Sequence, residues 1–193
     1  MPDTVLTART ISVGETRDLA AALAALAQPG DLVLLAGDLG AGKTAFAQGF
    51  GAGLGVTEPI TSPTFTLAQQ YRGRLMMHHL DVYRLDQLGE VAELGLSELL
   101  DDEGVVLIEW GDAILPVLPN DYLEVRLGFV EGADASDDER RVELRTVGVG
   151  WGNRQVSLLH ALEPWAEAPP GTPAAGPARD GGAGDDPPEV APC

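Results

Sequence analysis

Three observations predict an α/β fold of three layers, with a mixed central β-sheet flanked by helices. Strand-type and helix-type segments alternate over residues 5–162, the pattern of an α/β layer structure. Two short runs, DLVLLA at 31–36 and VVLIEW at 105–110, are apolar almost throughout, as strands covered on both faces are. The first of these runs enters a glycine-rich turn that opens a helical segment, a strand-loop-helix arrangement suited to holding a phosphate.

Taken in order, residues 5–13 read as a strand. Residues 16–27 read as a helix, because Leu19, Leu23 and Leu26 share one face at helical spacing and Pro29-Gly30 stop it. The apolar strand at 31–36 follows, then its glycines, then a helix from Lys43 to about Gly53. Residues 66–71 and 74–80 read as two strands joined at Arg72-Gly73, a hairpin. Residues 90–100 are helical at least in part, and 105–110 form the second buried strand. Residues 122–130 and 141–147 form an antiparallel pair around the acidic turn 131–139, and residues 153–162 make the last helix. There is no internal repeat.

The 193 residues, 45% of them hydrophobic, suffice for one domain with a real core. That domain is expected over residues 1–163. Residues 164–193 hold eight of the 14 prolines and five glycines, too little apolar surface to offset the entropy of ordering, so this tail is expected to be disordered. The sole cysteine is Cys193, which excludes an intramolecular disulfide and favours the cytoplasm. Residues 1–9 lack the basic-then-apolar pattern of a signal peptide, and no run approaches a membrane span. Twelve basic against 30 acidic residues give a formal charge of −18, which repels polyanions, so no independent contact with DNA or tRNA is expected.

Gly37-Asp38-Leu39-Gly40-Ala41-Gly42-Lys43-Thr44 matches G-x-x-x-x-G-K-[ST] between an apolar strand and a helix, the context in which that pattern is a phosphate-binding P-loop. The glycines allow the backbone to wrap a polyphosphate at the positive end of the following helix dipole. Lys43 can reach the β- and γ-phosphates, and the Thr44 hydroxyl can ligate Mg²⁺. Lys43 is the only lysine in the chain, the other 11 basic residues being arginine. A compact ammonium is thus kept at the one place where a point charge on phosphate is wanted. The fold class is accordingly P-loop NTPase-like, with ATP and Mg²⁺ as the expected ligands.

Such a site needs a carboxylate at the end of a neighbouring strand to hold Mg²⁺ or position water. Glu109 ends VVLIEW and Asp81 ends LMMHHL; both are candidates. A strand-end carboxylate that merely reaches solvent would account for Glu109 without function, and an N-cap would account for Asp81. His78 and His79 are adjacent, so on a strand they face opposite ways and cannot chelate one ion. One is read as a core or surface histidine and the other as orienting Asp81 or the nucleotide. The hydroxyl-rich stretch 61–65 lies where P-loop proteins carry a loop that senses the γ-phosphate, although such loops are usually simple turns.

Four motifs stand in order: G-D-L-G-A-G-K-T at 37–44, S-P-T-F at 62–65, H-L-D-V-Y-R at 79–84 and I-E-W at 108–110. Together they resemble the TsaE (YjeE) family, ATPases of bacterial tRNA threonylcarbamoyladenosine biosynthesis, over about residues 5–162. The resemblance implies an accessory ATPase that acts with a TsaB–TsaD-like complex, reaches tRNA only indirectly, and is slow without its partners. It implies that Lys43 holds phosphates, that Thr44 and Glu109 ligate Mg²⁺, and that Asp81 acts in hydrolysis or ion positioning. It further implies that Ser62, Thr64 and Phe65 form a switch-like loop, that Trp110 lies beside the nucleotide, and that Glu15 or Thr16 contacts adenine. Arg140 or Arg141 would approach the nucleotide. A small-molecule kinase using the same loop is the main alternative, and a nucleotide-gated binding module that hydrolyses almost nothing is a third. A GTPase is poorly supported, since a guanine-reading N-K-x-D segment needs a second lysine.

Overall fold

The computed structural model describes residues 5–63, 67–83, 98–99, 103–132 and 135–167. Strand β1 (Val5–Thr10) is followed by helix α1 (Val13–Ala24), β2 (Asp31–Ala36) and α2 (Lys43–Gly53). Then come β3 (Ala68–Arg72), β4 (Met76–Asp81), β5 (Val105–Glu109), β6 (Tyr122–Phe129) and β7 (Arg140–Val147). Helix α3 (Gln155–Ala161) follows a short 3₁₀ turn, and further 3₁₀ segments span Gly111–Val117 and Glu163–Trp165. The strands form one seven-stranded sheet in the order β1-β7-β6-β2-β5-β4-β3. Pairings of β2 with β5 and β6, and of β4 with β5, are parallel, whereas both edges are antiparallel. The sheet is therefore mixed, as the sequence predicts.

The central strands are buried along their full length because both faces are covered. One face joins α1 and α2 in the larger core, where Leu19, Leu23, Phe46 and Phe50 meet Val33, Leu35, Leu107 and Val125. The other face packs Leu32, Leu34, Leu80, Val106 and Ile108 against Ile114 and Leu118 of the segment after β5. Helices α1 and α2 approach closely at small residues: a Cβ on Gly49 would stand 2.2 Å from the Arg17 carbonyl oxygen.

Several boundaries differ from the sequence expectation, for local reasons. Helix α1 starts at Val13 rather than Thr16 because Ser12 caps it, its Oγ accepting from the Glu15 N–H at 3.1 Å. The Glu15 carboxylate reaches back to the Ile11 N–H at 2.9 Å, a reciprocal arrangement close to a capping box, so the first strand ends at Thr10. The hairpin turns at residues 73–75 rather than 72–73. There the Arg74 guanidinium is recruited to cap α1, donating to the carbonyls of Ala24 and Ala27 at 2.5 and 2.8 Å.

Of the helix expected at 90–100, only Glu98 and Leu99 are described, and both are helical. Packed chain continues four residues beyond the expected boundary at 163. Trp165 packs on the larger core, Ala166 bridges to Ala8, and the Glu167 N–H donates to the Thr7 carbonyl at 3.0 Å. The remainder of the expected tail lies outside the described residues. No helix among them is long and apolar enough to cross a membrane.

Candidate nucleotide and metal site

Strands β2, β5 and β4 lie side by side and parallel, so their C-terminal ends open on the same edge of the sheet. In open α/β sheets that edge is where ligands bind. Leu35 of β2 is in register with Glu109 of β5, and Glu109 with Asp81 of β4. After Ala36, the last residue of β2, the chain leaves the sheet into the segment Gly37 to Thr44. An open cavity of about 400 Å³ lies over these ends, bounded by Leu39, Gly40, Gly42, Lys43, Thr44 and Ala45 of the loop and α2. Its opposite wall is Ser62, Asp81, Tyr83, Glu109 and Trp110.

The loop conformation requires glycine. Gly37 has φ +133°, and a Cβ there would stand 2.1 Å from the Leu127 carbonyl oxygen. Gly42 caps α2 in the left-handed region at φ 106°, which a side chain would strain. Leu39, at the tip, is 82% exposed, while Ala41 is fully buried and anchors the loop to the core. The Lys43 Nζ donates to the carbonyls of Gly37 at 2.6 Å and Asp38 at 2.9 Å and stands 3.5 Å over the Trp110 ring. Trp110 holds this position with a left-handed backbone, φ 63°, and its N–H donates to the Leu35 carbonyl at 2.8 Å. Tyr83 packs on its indole at 4.8 Å between centroids.

Arg140 of β7 reaches the same loop from the other side. Its guanidinium donates to the carbonyls of Ala41 at 3.0 Å and Gly40 at 3.2 Å, and lies 4.5 Å over the Phe129 ring. It also donates to the carbonyls of Asp137 and Glu139, at 2.6 and 2.8 Å, so the acidic turn and the glycine-rich loop are tied together. The outer neighbour Glu139 pairs with Arg9, and that contact holds the Glu139 carboxyl below the usual carboxylate range.

Both strand-end carboxylates are nearly buried, Asp81 at 4% and Glu109 at 3% exposure. The Thr44 hydroxyl donates to Glu109, 3.2 and 3.3 Å from its two oxygens. Asp81 accepts from the Ser62 hydroxyl at 2.8 Å and from the Tyr83 N–H at 3.1 Å. Asp81 thus does cap the following turn, and it also touches the hydroxyl-rich loop that faces the cavity. Of that loop, Thr64 and Phe65 lie outside the described residues. His78 and His79 face opposite ways, as alternation requires: His78 is in register with Val106 of the smaller core, and His79 with Leu107 of the larger. It is Glu109, not Asp81, that His79 holds, its Nε2 lying 3.0 Å from Oε1.

Not every expected residue comes to this cavity. Thr16 is 2% exposed, and its hydroxyl is engaged with Thr10 at 2.8 Å and with the Ser12 carbonyl. Glu15 is committed to the α1 cap, and with Arg141 it borders a separate surface groove near Trp165. Sequence reasoning missed the clamp made by Arg140 on the loop carbonyls. Spacing alone could not find it, because 99 residues separate Arg140 from Ala41.

A family model described as "Threonylcarbamoyl adenosine biosynthesis protein TsaE" matches residues 10–141. The chain belongs to the TsaE family. It is 43% identical over 155 residues to the tRNA threonylcarbamoyladenosine biosynthesis protein TsaE of Bacillus subtilis (strain 168), covering 80% of this chain and 91% of that protein. To the protein of the same name from Streptomyces coelicolor it is 40% identical over 147 residues, covering 74% and 98%. The crystal structure of Bacillus subtilis YdiB superposes with a TM-score of 0.68 at 38% identity, covering 85% of this chain and 97% of that one. The match to the TsaE family takes in the glycine-rich loop, both strand-end carboxylates and Arg140. The family places the chain in tRNA threonylcarbamoyladenosine biosynthesis.

Proposed function

We propose that this TsaE-family chain is a Mg²⁺-dependent ATPase that serves tRNA threonylcarbamoyladenosine biosynthesis together with a TsaB–TsaD-like complex. One observation carries the reading: the Thr44 hydroxyl, the Glu109 carboxylate, the Asp81 carboxylate and the Lys43 ammonium all face one cavity at the ends of three parallel strands. In this reading Gly37, Asp38, Leu39, Gly40, Ala41 and Gly42 supply backbone around the phosphates, and Lys43 supplies the charge that develops against the β- and γ-oxygens.

The donor set fits magnesium. Thr44 and Glu109 offer hard oxygen ligands, and Mg²⁺ is ordinarily held by one or two carboxylates or hydroxyls plus phosphate and water rather than by a protein cage. Among the described residues there is no cluster of three His, Cys, Asp or Glu side chains, in keeping with such a shared site. When bound, the ion would neutralise charge on the phosphate oxygens. Asp81 would orient water or the ion, and its hydrogen bond from Ser62 would link the loop 61–63 to what occupies the cavity.

The charge of −18 fits a role beside tRNA-binding partners rather than on tRNA itself. The kinase alternative gains nothing from Arg140, whose guanidinium is held by backbone carbonyls of the loop and the acidic turn. The test is phosphate release from ATP with and without Mg²⁺, alone and with the partner complex. The expected result is slow release alone, no release without Mg²⁺ and marked acceleration by the complex. Release that ignores both Mg²⁺ and the complex would refute the proposal.

A further inference from the structure

We infer that His79 is a positioning residue that fixes the Glu109 carboxylate for a divalent cation, an inference resting on the proposed role of Glu109. Its Nε2 lies 3.0 Å from Glu109 Oε1, and the imidazole is 0% exposed. A metal-binding carboxylate only accepts, so Nε2 is the ring atom through which His79 can donate to it. The other ring nitrogen, Nδ1, is buried and has no hydrogen-bond partner among the described residues. A buried polar atom left in that condition has given up water without gaining a hydrogen bond in return. Stability alone would therefore favour an apolar side chain here, between Tyr71, whose ring is 6.4 Å away, and its register partner Leu107. What the imidazole adds is the single contact with Glu109.

The geometry explains why one contact matters. Among the described residues, the Glu109 carboxylate is met by the Thr44 hydroxyl and by His79. The hydroxyl is itself a proposed cation ligand, so its contact with the carboxylate must change when the ion binds. The His79 contact needs no such change. It also comes from β4, locked to β5 by parallel pairing from Met77 to Asp81, so it can hold Oε1 in one place and leave Oε2 directed to the ion. This is how outer partners orient a metal-binding side chain, and their loss ordinarily weakens metal affinity by about 10–100-fold.

The test uses the full chain and ADP, so that hydrolysis does not intervene. ADP affinity is measured by calorimetry across a Mg²⁺ titration that starts in EDTA, for the wild type, His79→Leu, His79→Gln, His79→Asn and Glu109→Ala. In His79→Leu the Mg²⁺ concentration giving half the gain in affinity should rise about 10–100-fold, while metal-free ADP affinity stays within about twofold of wild type. His79→Gln, whose side-chain N–H can stand where Nε2–H stands, should stay within about threefold, and the shorter His79→Asn should behave like leucine. In a Glu109→Ala background His79→Leu should add nothing. An unchanged Mg²⁺ midpoint in His79→Leu would overturn the inference, as would equal shifts in Gln and Asn or a parallel loss of metal-free affinity. Should His79→Leu fail to fold, the Gln and Asn pair decides the matter alone. If Glu109→Ala itself leaves the midpoint unchanged, the proposed metal role of Glu109 falls, and the role of His79 with it.

Discussion

Lys43 sits between two loop carbonyls and the face of Trp110, so in Lys43→Ala the loop keeps its backbone but loses the ammonium charge. Hydrogen bonds to charged groups contribute about 1.5–3 kcal/mol, and calorimetry should show ATP affinity reduced by ten- to a hundredfold with a native circular dichroism spectrum. Equal affinity in the two proteins would remove Lys43 from the site. Glu109→Ala and Asp81→Ala should lower turnover at least tenfold while ATP binding falls much less, since ion and water placement matter more to the reaction than to the ground state. Wild-type turnover in either variant, measured with partners present, would eliminate that residue. At this scale the sequence was readable where a motif carries its own geometry: the glycines, Lys43 and Thr44 are fixed by one local pattern. It was not readable where the partner is remote. Glu109 meets Thr44 across 65 residues and His79 across 30; the register of β4 with β5 brings His79 to it, and the passage from β2 into α2 brings Thr44.

The elements that carry these residues are held by contacts at their ends. Arg154, just before α3, donates two hydrogen bonds to the Asp31 carboxylate at 2.6 and 2.7 Å, bonds the Leu26 carbonyl and stacks on Trp151. Both side chains are nearly buried, 12% and 10% exposed. Arg154→Ala would leave the Asp31 charge at the start of β2 without its cation, and breaking such a pair costs about 3–5 kcal/mol. A urea midpoint within error of wild type would show that the pair contributes nothing. Truncation separates two boundaries: ending the chain after Glu167 should leave the melting temperature unchanged. Ending it after Glu163 should lower the melting temperature by several degrees, because Trp165 leaves the core and the β1 edge loses Ala166 and Glu167. Equal melting temperatures for the two truncations would contradict this. Element type was legible from the apolar periodicity of residues such as Leu19 and Leu23 and from runs such as VVLIEW. Element ends were less so, because Ser12, Arg74 and Trp165 act through caps and packing that periodicity does not encode.

At the scale of the molecule, the sheet brings three strand ends to one edge, and a chain of net charge −18 surrounds them. The layer architecture followed from alternating segments, whereas the strand order did not, because β6 and β7 pair beside β2 only through long-range contacts. For the proposed ATPase, whose chain carries a formal charge of −18, coupling to a tRNA-modifying assembly is expected to run through protein contacts. By linkage, ATP should then strengthen binding to the TsaB–TsaD-like complex by the factor with which the complex strengthens ATP binding. A gel shift at physiological salt should show no tight tRNA complex with this chain alone, and tight binding there would contradict the indirect route. The most direct measurement is steady-state phosphate release by wild type and Lys43→Ala as the partner complex is titrated in. Slow release by the isolated wild type, a large rise that saturates with the complex, and no rise in Lys43→Ala is the predicted result. Indistinguishable release by the two proteins at saturating partner would contradict the assignment of the Gly37 to Thr44 loop as a partner-coupled ATPase site.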